Sequence, residues 1–136
     1  MSYRPPRQTG RETLENIAAR FMTSDLKDLP VLVDRVLNYR AIKASESAIR
    51  KVHTILTDLL EKFPTYVDKL DEWRFRLSHA KLFIIYQQTR KYLPIDVANA
   101  LVKVIDELIS SSNPADSVKR AKLFIDTLIT KSKMQG

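Results

Sequence analysis

The sequence predicts an all-α fold: a single compact bundle of five to six helices with a long, central fourth helix. Three observations predict it. Glycine occurs only at Gly10 and Gly136, so the body of the chain lacks the residue that tight hairpins and phosphate-cradling loops need. Proline supplies the punctuation instead, at Pro30, Pro64, Pro94 and Pro114. Between these marks the apolar residues recur every three or four positions, the helical period, and no stretch alternates as a strand does.

The elements follow in order. Residues 1–10, with Pro5, Pro6 and two arginines, read as a disordered basic tail ahead of one helical domain over 11–136. A first helix runs from about Arg11 to Met22, with Leu14, Ile17, Ala18 and Phe21 on one face. The stretch TSDLKDLP offers capping side chains, and Pro30 suits a first helical turn. The second helix carries Val33, Val36 and Leu37 to about Arg40. Ser45 caps a third, in which Ile49, Val52, Leu56, Leu59 and Phe63 form a seam suited to a nearly antiparallel neighbour.

Helix four spans about Asp68 to Tyr92. Asp68, Asp71 and Glu72 sit at its start, Arg90 and Lys91 at its end, so the charges match the helix dipole. Trp73, Leu77, Ala80 and Ile84 make one stripe, while Phe75, Leu82, Phe83 and Tyr86 fill other faces. A helix apolar nearly all round is expected to be covered by several neighbours. Helix five, about Pro94 to Ser110, uses Val97, Leu101, Val104 and Leu108. Asn113 and Pro114 open helix six as N-cap and first residue, and that helix buries Val118, Ala121, Phe124, Ile125 and Leu128.

At 136 residues the chain buries a core without staples, and its lack of cysteine rules out disulfides and thiolate metal sites. The longest apolar run, Leu82 to Tyr86, is far short of the ~20 residues of a membrane span. The first residues have no apolar signal region, so a cytoplasmic protein is expected, with no membrane partner. His53 and His79 lie on different helices and form no ligand pair. No serine sits in a nucleophile motif, and the acids at the start of helix four follow the helix-dipole rule. We therefore expect no enzyme, no metal and no cofactor.

Charge is the informative property. The net charge is +7, which favours polyanion partners. Residues 64–93 carry six Lys/Arg against three acids and 113–136 five against two, whereas 94–112 carry one against three. Helix four offers Arg74, Lys81, Arg90 and Lys91; helix six offers Lys119, Arg120 and Lys122, with Lys133 further along the same face. Two such stripes on adjacent helices would track a phosphate backbone; the alternative is an ordinary solvated face. Tyr39, Tyr66, Tyr86 and Tyr92 are spread singly, with no stacking platform, so phosphate contacts are expected to outweigh base contacts. Tyr86 either orients its arginine neighbour or caps the core.

The decade KLFIIYQQTR, Lys81 to Arg90, resembles the Lys-Leu-x-x-x-Tyr-Gln-x-x-Arg segment of the small helical subunit of type III-A CRISPR (Csm) effector complexes. FMTSDLKDLPVLVDRV is similar to that family's early Thr-Ser-x-Leu segment, and VKRAKLFIDTLITKSK to its closing amphipathic helix. Thr89 stands where the family often has glycine, and LITKSK lacks its late aromatic. The resemblance implies a non-catalytic subunit for antiviral defence that stacks along a guide RNA–target RNA duplex beside other Csm subunits. The small subunit of type III-B complexes is an alternative. A DNA-binding regulator and a protein–protein adaptor are others. A subunit shaped to stack is also expected to self-associate, as a homodimer in isolation.

Overall fold

The computed structural model describes residues 12–134. Among them are six helices and no strand: α1 (Leu14–Thr23), α2 (Leu29–Leu37), α3 (Glu46–Glu61), α4 (Leu70–Thr89), α5 (Ile95–Ser110) and α6 (Pro114–Met134). Short 3-10 turns, Leu26–Asp28 and Phe63–Tyr66, lead into α2 and follow α3. The expected all-α bundle is therefore what forms. The tail proposed for residues 1–10 lies outside the described residues.

Local chemistry sets most boundaries. The Ser45 hydroxyl accepts from the Ala48 amide and starts α3. The Asn113 side chain accepts from Asp116 N–H at 3.5 Å, with Pro114 as the first residue of α6. At α1 the cap is Thr13, which accepts from Asn16 N–H at 3.1 Å. The capping expected from TSDLKDLP is not made: neither Asp25 nor Asp28 caps with its side chain. Pro64 ends α3 two residues early and moves Phe63 into the following turn. Phe63 stays buried there, its ring 4.8 Å from that of Trp73 and edge-on to it.

One core unites all six helices. Its most thoroughly enclosed member is α5, where Val97, Ala98, Ala100, Leu101, Val104, Ile105 and Leu108 are all buried. This helix packs on α1, α4 and α6. The central place expected for helix four thus belongs to α5. In α4 the stripe Trp73, Leu77, Ala80 and Ile84 is buried as expected, against α3 and α5. The Trp73 indole N–H donates to Leu59 O at 3.0 Å, satisfying its buried donor. The opposite face is bare: Phe75 is 64% exposed and Leu82 63%. The expectation that several neighbours cover α4 all round is corrected. Of its other apolar residues, Phe83 packs against the core, whereas Phe75, Leu82 and Tyr86 stay exposed. No helix among these residues is long and apolar enough to cross a membrane.

Candidate nucleic-acid interface

The basic residues of helices four and six do not meet. The α4 helix packs on α3 and α5, and α6 packs on α1, α2, α3 and α5, with no substantial α4–α6 contact. One phosphate track across two adjacent stripes, the arrangement expected above, is not formed.

Side-chain partners divide the seven candidates further. Arg120 is turned inward, 11% exposed. Its Nε donates to Asp116 at 2.7 Å, and its Nη1 donates to the carbonyls of Phe21, at 3.2 Å, and Ser24. It thus closes the C-terminal end of α1, where the sequence suggested a solvated flank. Lys122 lies between Asp126 (3.0 Å) and Glu61 (3.9 Å). Lys81 bridges α4 to α5 through Asp106 at 2.8 Å. Arg74 lies 3.9 Å from Asp71 on its own helix. Carboxylates at these distances cancel much of each cation's field. Lys119, Arg90 and Lys91 are exposed and have no carboxylate partner among the described residues. Lys119 lies in the second turn of α6, a helix that does not pack substantially on α4.

Arg90 and Lys91 form the most built corner on the surface. The α4 helix stops at Thr89 because Lys91 enters the left-handed region at φ 66°. There Lys91 N–H donates to Gln88 O and Tyr92 N–H to Gln87 O, both at 2.9 Å. This is the double bond pattern that commonly ends helices at a glycine, here with lysine at the left-handed position. Tyr92 O then accepts from Ser45 N–H at 2.9 Å, tying the corner to the start of α3, and buried Leu93 anchors its other side.

Within this frame the Arg90 guanidinium is bracketed by two phenols. Nη1 donates to Tyr86 Oη at 2.8 Å and Nη2 to Tyr92 Oη at 3.4 Å. Its carbon lies 5.6 Å from one ring centre and 5.4 Å from the other. Of the alternatives for Tyr86, orienting the arginine is the one adopted; the residue is 54% exposed and no part of the core. The hydrogen bond that the Tyr86 oxygen accepts, aided by Tyr92, pushes the guanidinium pKa up from its ordinary value. A phenol accepts the bond without cancelling the charge, and three of the five N–H groups stay free. The corner is therefore a fixed, uncompensated cation able to present a fork to phosphate oxygens.

The reading of scattered tyrosines missed this convergence. Its signal was the spacing Tyr-x-x-x-Arg-x-Tyr over 86–92, which places the two phenols four before and two after the arginine. Tyr39 makes an acidic contact instead: its Oη donates to Asp96 at 2.9 Å, and Arg40 reaches the same carboxylate at 3.2 Å. Burial, then the Asp96 bond, raises the Tyr39 pKa and keeps that phenol a donor. His53 lies 3.3 Å from Asp126, and no group of three metal-ligating side chains occurs among the described residues. Comparison of the chain with family models, with curated proteins and with solved structures gives no match.

Proposed function

We propose that this chain is a non-catalytic, RNA-contacting subunit of a type III-A CRISPR effector complex. In this role it seats the phosphate backbone of a guide–target RNA duplex on its surface. The observation that carries the reading is the Arg90 corner. A guanidinium held by two phenol oxygens, with Lys91 beside it and no carboxylate partner among the described residues, is suited to phosphate and indifferent to base sequence. The resemblance of KLFIIYQQTR supplies the kind of assembly, and the arginine that closes that segment is Arg90 itself. Lys119 is an outlying contact in this reading, and Arg120 serves the fold.

The test measures RNA affinity at several salt concentrations for the chain and for Arg90→Ala/Lys91→Ala. Two lost phosphate contacts flatten the slope of log K against log salt by roughly 1.4–1.8, equally for unrelated sequences. An unchanged slope returns the corner to an ordinary solvated helix end. Tighter binding to one DNA sequence replaces the reading with that of a DNA-binding regulator.

A further inference from the structure

Two aromatic rings stand at the Arg90 corner with no task in the core. Among the described residues, Tyr66 is buried and Tyr39 packs against the core, whereas Tyr86 and Tyr92 do neither, being 54% and 44% exposed. Both are nonetheless held in place. Their hydroxyls accept from Arg90 Nη1 and Nη2, and the Tyr92 carbonyl accepts from Ser45 N–H at 2.9 Å. The left-handed turn at Lys91, closed by the bond from Tyr92 N–H to Gln87 O, returns Tyr92 to the side of Tyr86. The guanidinium grips the hydroxyl ends and does not lie flat on either ring. Its carbon is 5.6 and 5.4 Å from the two ring centres, beyond the roughly 3.5–4.0 Å of carbon atoms in contact. Rings fixed in advance cost little ordering on binding.

We infer that the corner is a stacking platform for an unpaired nucleotide of RNA, with the base on the ring faces of Tyr86 and Tyr92 and the adjoining phosphate on Arg90 and Lys91. Stacking deepens the RNA reading and rests on it, because the two cations hold the strand against the rings. An aromatic face beside a phosphate fork is the combination by which proteins hold single strands. A base within a duplex is stacked on its neighbours and offers only its edges. The preferred ligand is therefore a single strand or the unpaired end of a duplex. Every base has a π-face, so the preference is for unpaired over paired nucleotides, not for one sequence. Arg90 keeps its phosphate role, since the two phenols occupy two of its five N–H groups.

The experiment titrates the full chain with two probes of equal length: a short oligouridylate, and the same ribose–phosphate chain with hydrogen in place of each base. The phosphates are identical, so the difference in affinity isolates the bases. The parent is expected to bind oligouridylate at least about fivefold more tightly, the lower bound for one stacked base. Tyr86→Phe/Tyr92→Phe keeps both rings and is expected to keep this preference. Tyr86→Leu/Tyr92→Leu, with helix content checked by circular dichroism, is expected to abolish it. Arg90→Ala/Lys91→Ala is expected to weaken both probes and to flatten both salt slopes alike. Equal affinity of the parent for the two probes overturns the inference without need of any variant. If the salt slope still responds to Arg90 and Lys91 in that case, the phosphate reading stands alone. A preference that survives loss of both rings, or one that vanishes with the hydroxyls, also overturns the platform. A salt slope indifferent to Arg90 and Lys91 overturns both readings together.

Discussion

Arg120 and Arg90 are both arginines of long helices, one in the second turn of α6 and the other capping the end of α4, and the molecule uses them in opposite ways. Arg120 meets a carboxylate and two backbone carbonyls, all of which lie within the fold. Its charge is compensated and three of its five N–H donors are used within the fold. Arg90 meets two phenol oxygens at the surface, which hold the guanidinium still and leave its charge intact. The difference lies in the acceptors rather than in the arginine. Carbonyls and carboxylates make a cation part of the scaffold, whereas phenols leave its charge uncompensated at the surface.

The comparison can be broken most forcefully at Arg120. Arg120→Ala strands the carbonyls of Phe21 and Ser24 with no donor and leaves Asp116 unpaired. A loss of about 2–3 kcal/mol follows from removing charged hydrogen bonds at a site so little exposed. The thermal midpoint is expected to fall by roughly 6–15 °C, read by calorimetry. RNA affinity of the folded fraction is expected to stay unchanged.

Arg90→Ala is the converse. Its midpoint is expected to stay within about 2 °C of the parent, as for surface changes away from packing features. RNA affinity is expected to drop roughly tenfold at low salt, and the salt slope to flatten by about 0.7–0.9. If Arg90→Ala melted early and bound normally, the roles assigned to the two arginines would be exchanged.

A smaller effect separates backbone from charge at Lys91. A lysine at φ 66° has a steric cost that glycine escapes. Lys91→Gly is expected to raise stability by about 1 kcal/mol and to weaken RNA binding by the worth of one phosphate contact. Gains in both properties would show that the lysine is not kept for its charge. The smallest effect is expected from Tyr86→Phe, which keeps the ring and deletes the 2.8 Å bond. An affinity loss of roughly two- to threefold, with the slope unchanged, would mark Tyr86 as a positioning residue.

Much of the fold was legible because it is local. Ser45, the Asn113-Pro114 pair and the three-and-four spacing of the core residues act within a turn of where they stand. What the sequence concealed was direction and distance. Arg120 flanks a basic stripe in the sequence, but its acceptors are carbonyls 96 and 99 positions away, which no local pattern encodes. Lys131 is the same case: it reads as a late lysine of an amphipathic helix, yet it is buried and donates to Leu37 O. In α4, two apolar stripes on opposite sides look identical to the pattern of a fully enclosed helix. Only the exposure of Phe75 and Leu82 tells them apart. The early stop of α4 at Thr89 was hidden for a related reason, because a lysine is not the residue that normally signals a left-handed helix end.

The fastening of α6 by Arg120 and Lys131 also bears on how the chain is made. Both side chains grip carbonyls at the ends of α1 and α2, 94 to 99 positions earlier. Phe124 likewise arrives late to meet Phe21, their ring centres 5.2 Å apart. At about 5–20 residues per second, a ribosome takes roughly 5–20 s to deliver the hundred residues that separate these partners. Until α6 arrives, the carbonyls of Phe21, Ser24 and Leu37 lack the donors of Arg120 and Lys131, and the parts of α1 and α2 that meet α6 are uncovered. Closing so long a loop is entropically slow. Cooperative folding is therefore expected to finish only as the last helix leaves the exit tunnel, with the early helices in the keeping of chaperones until then.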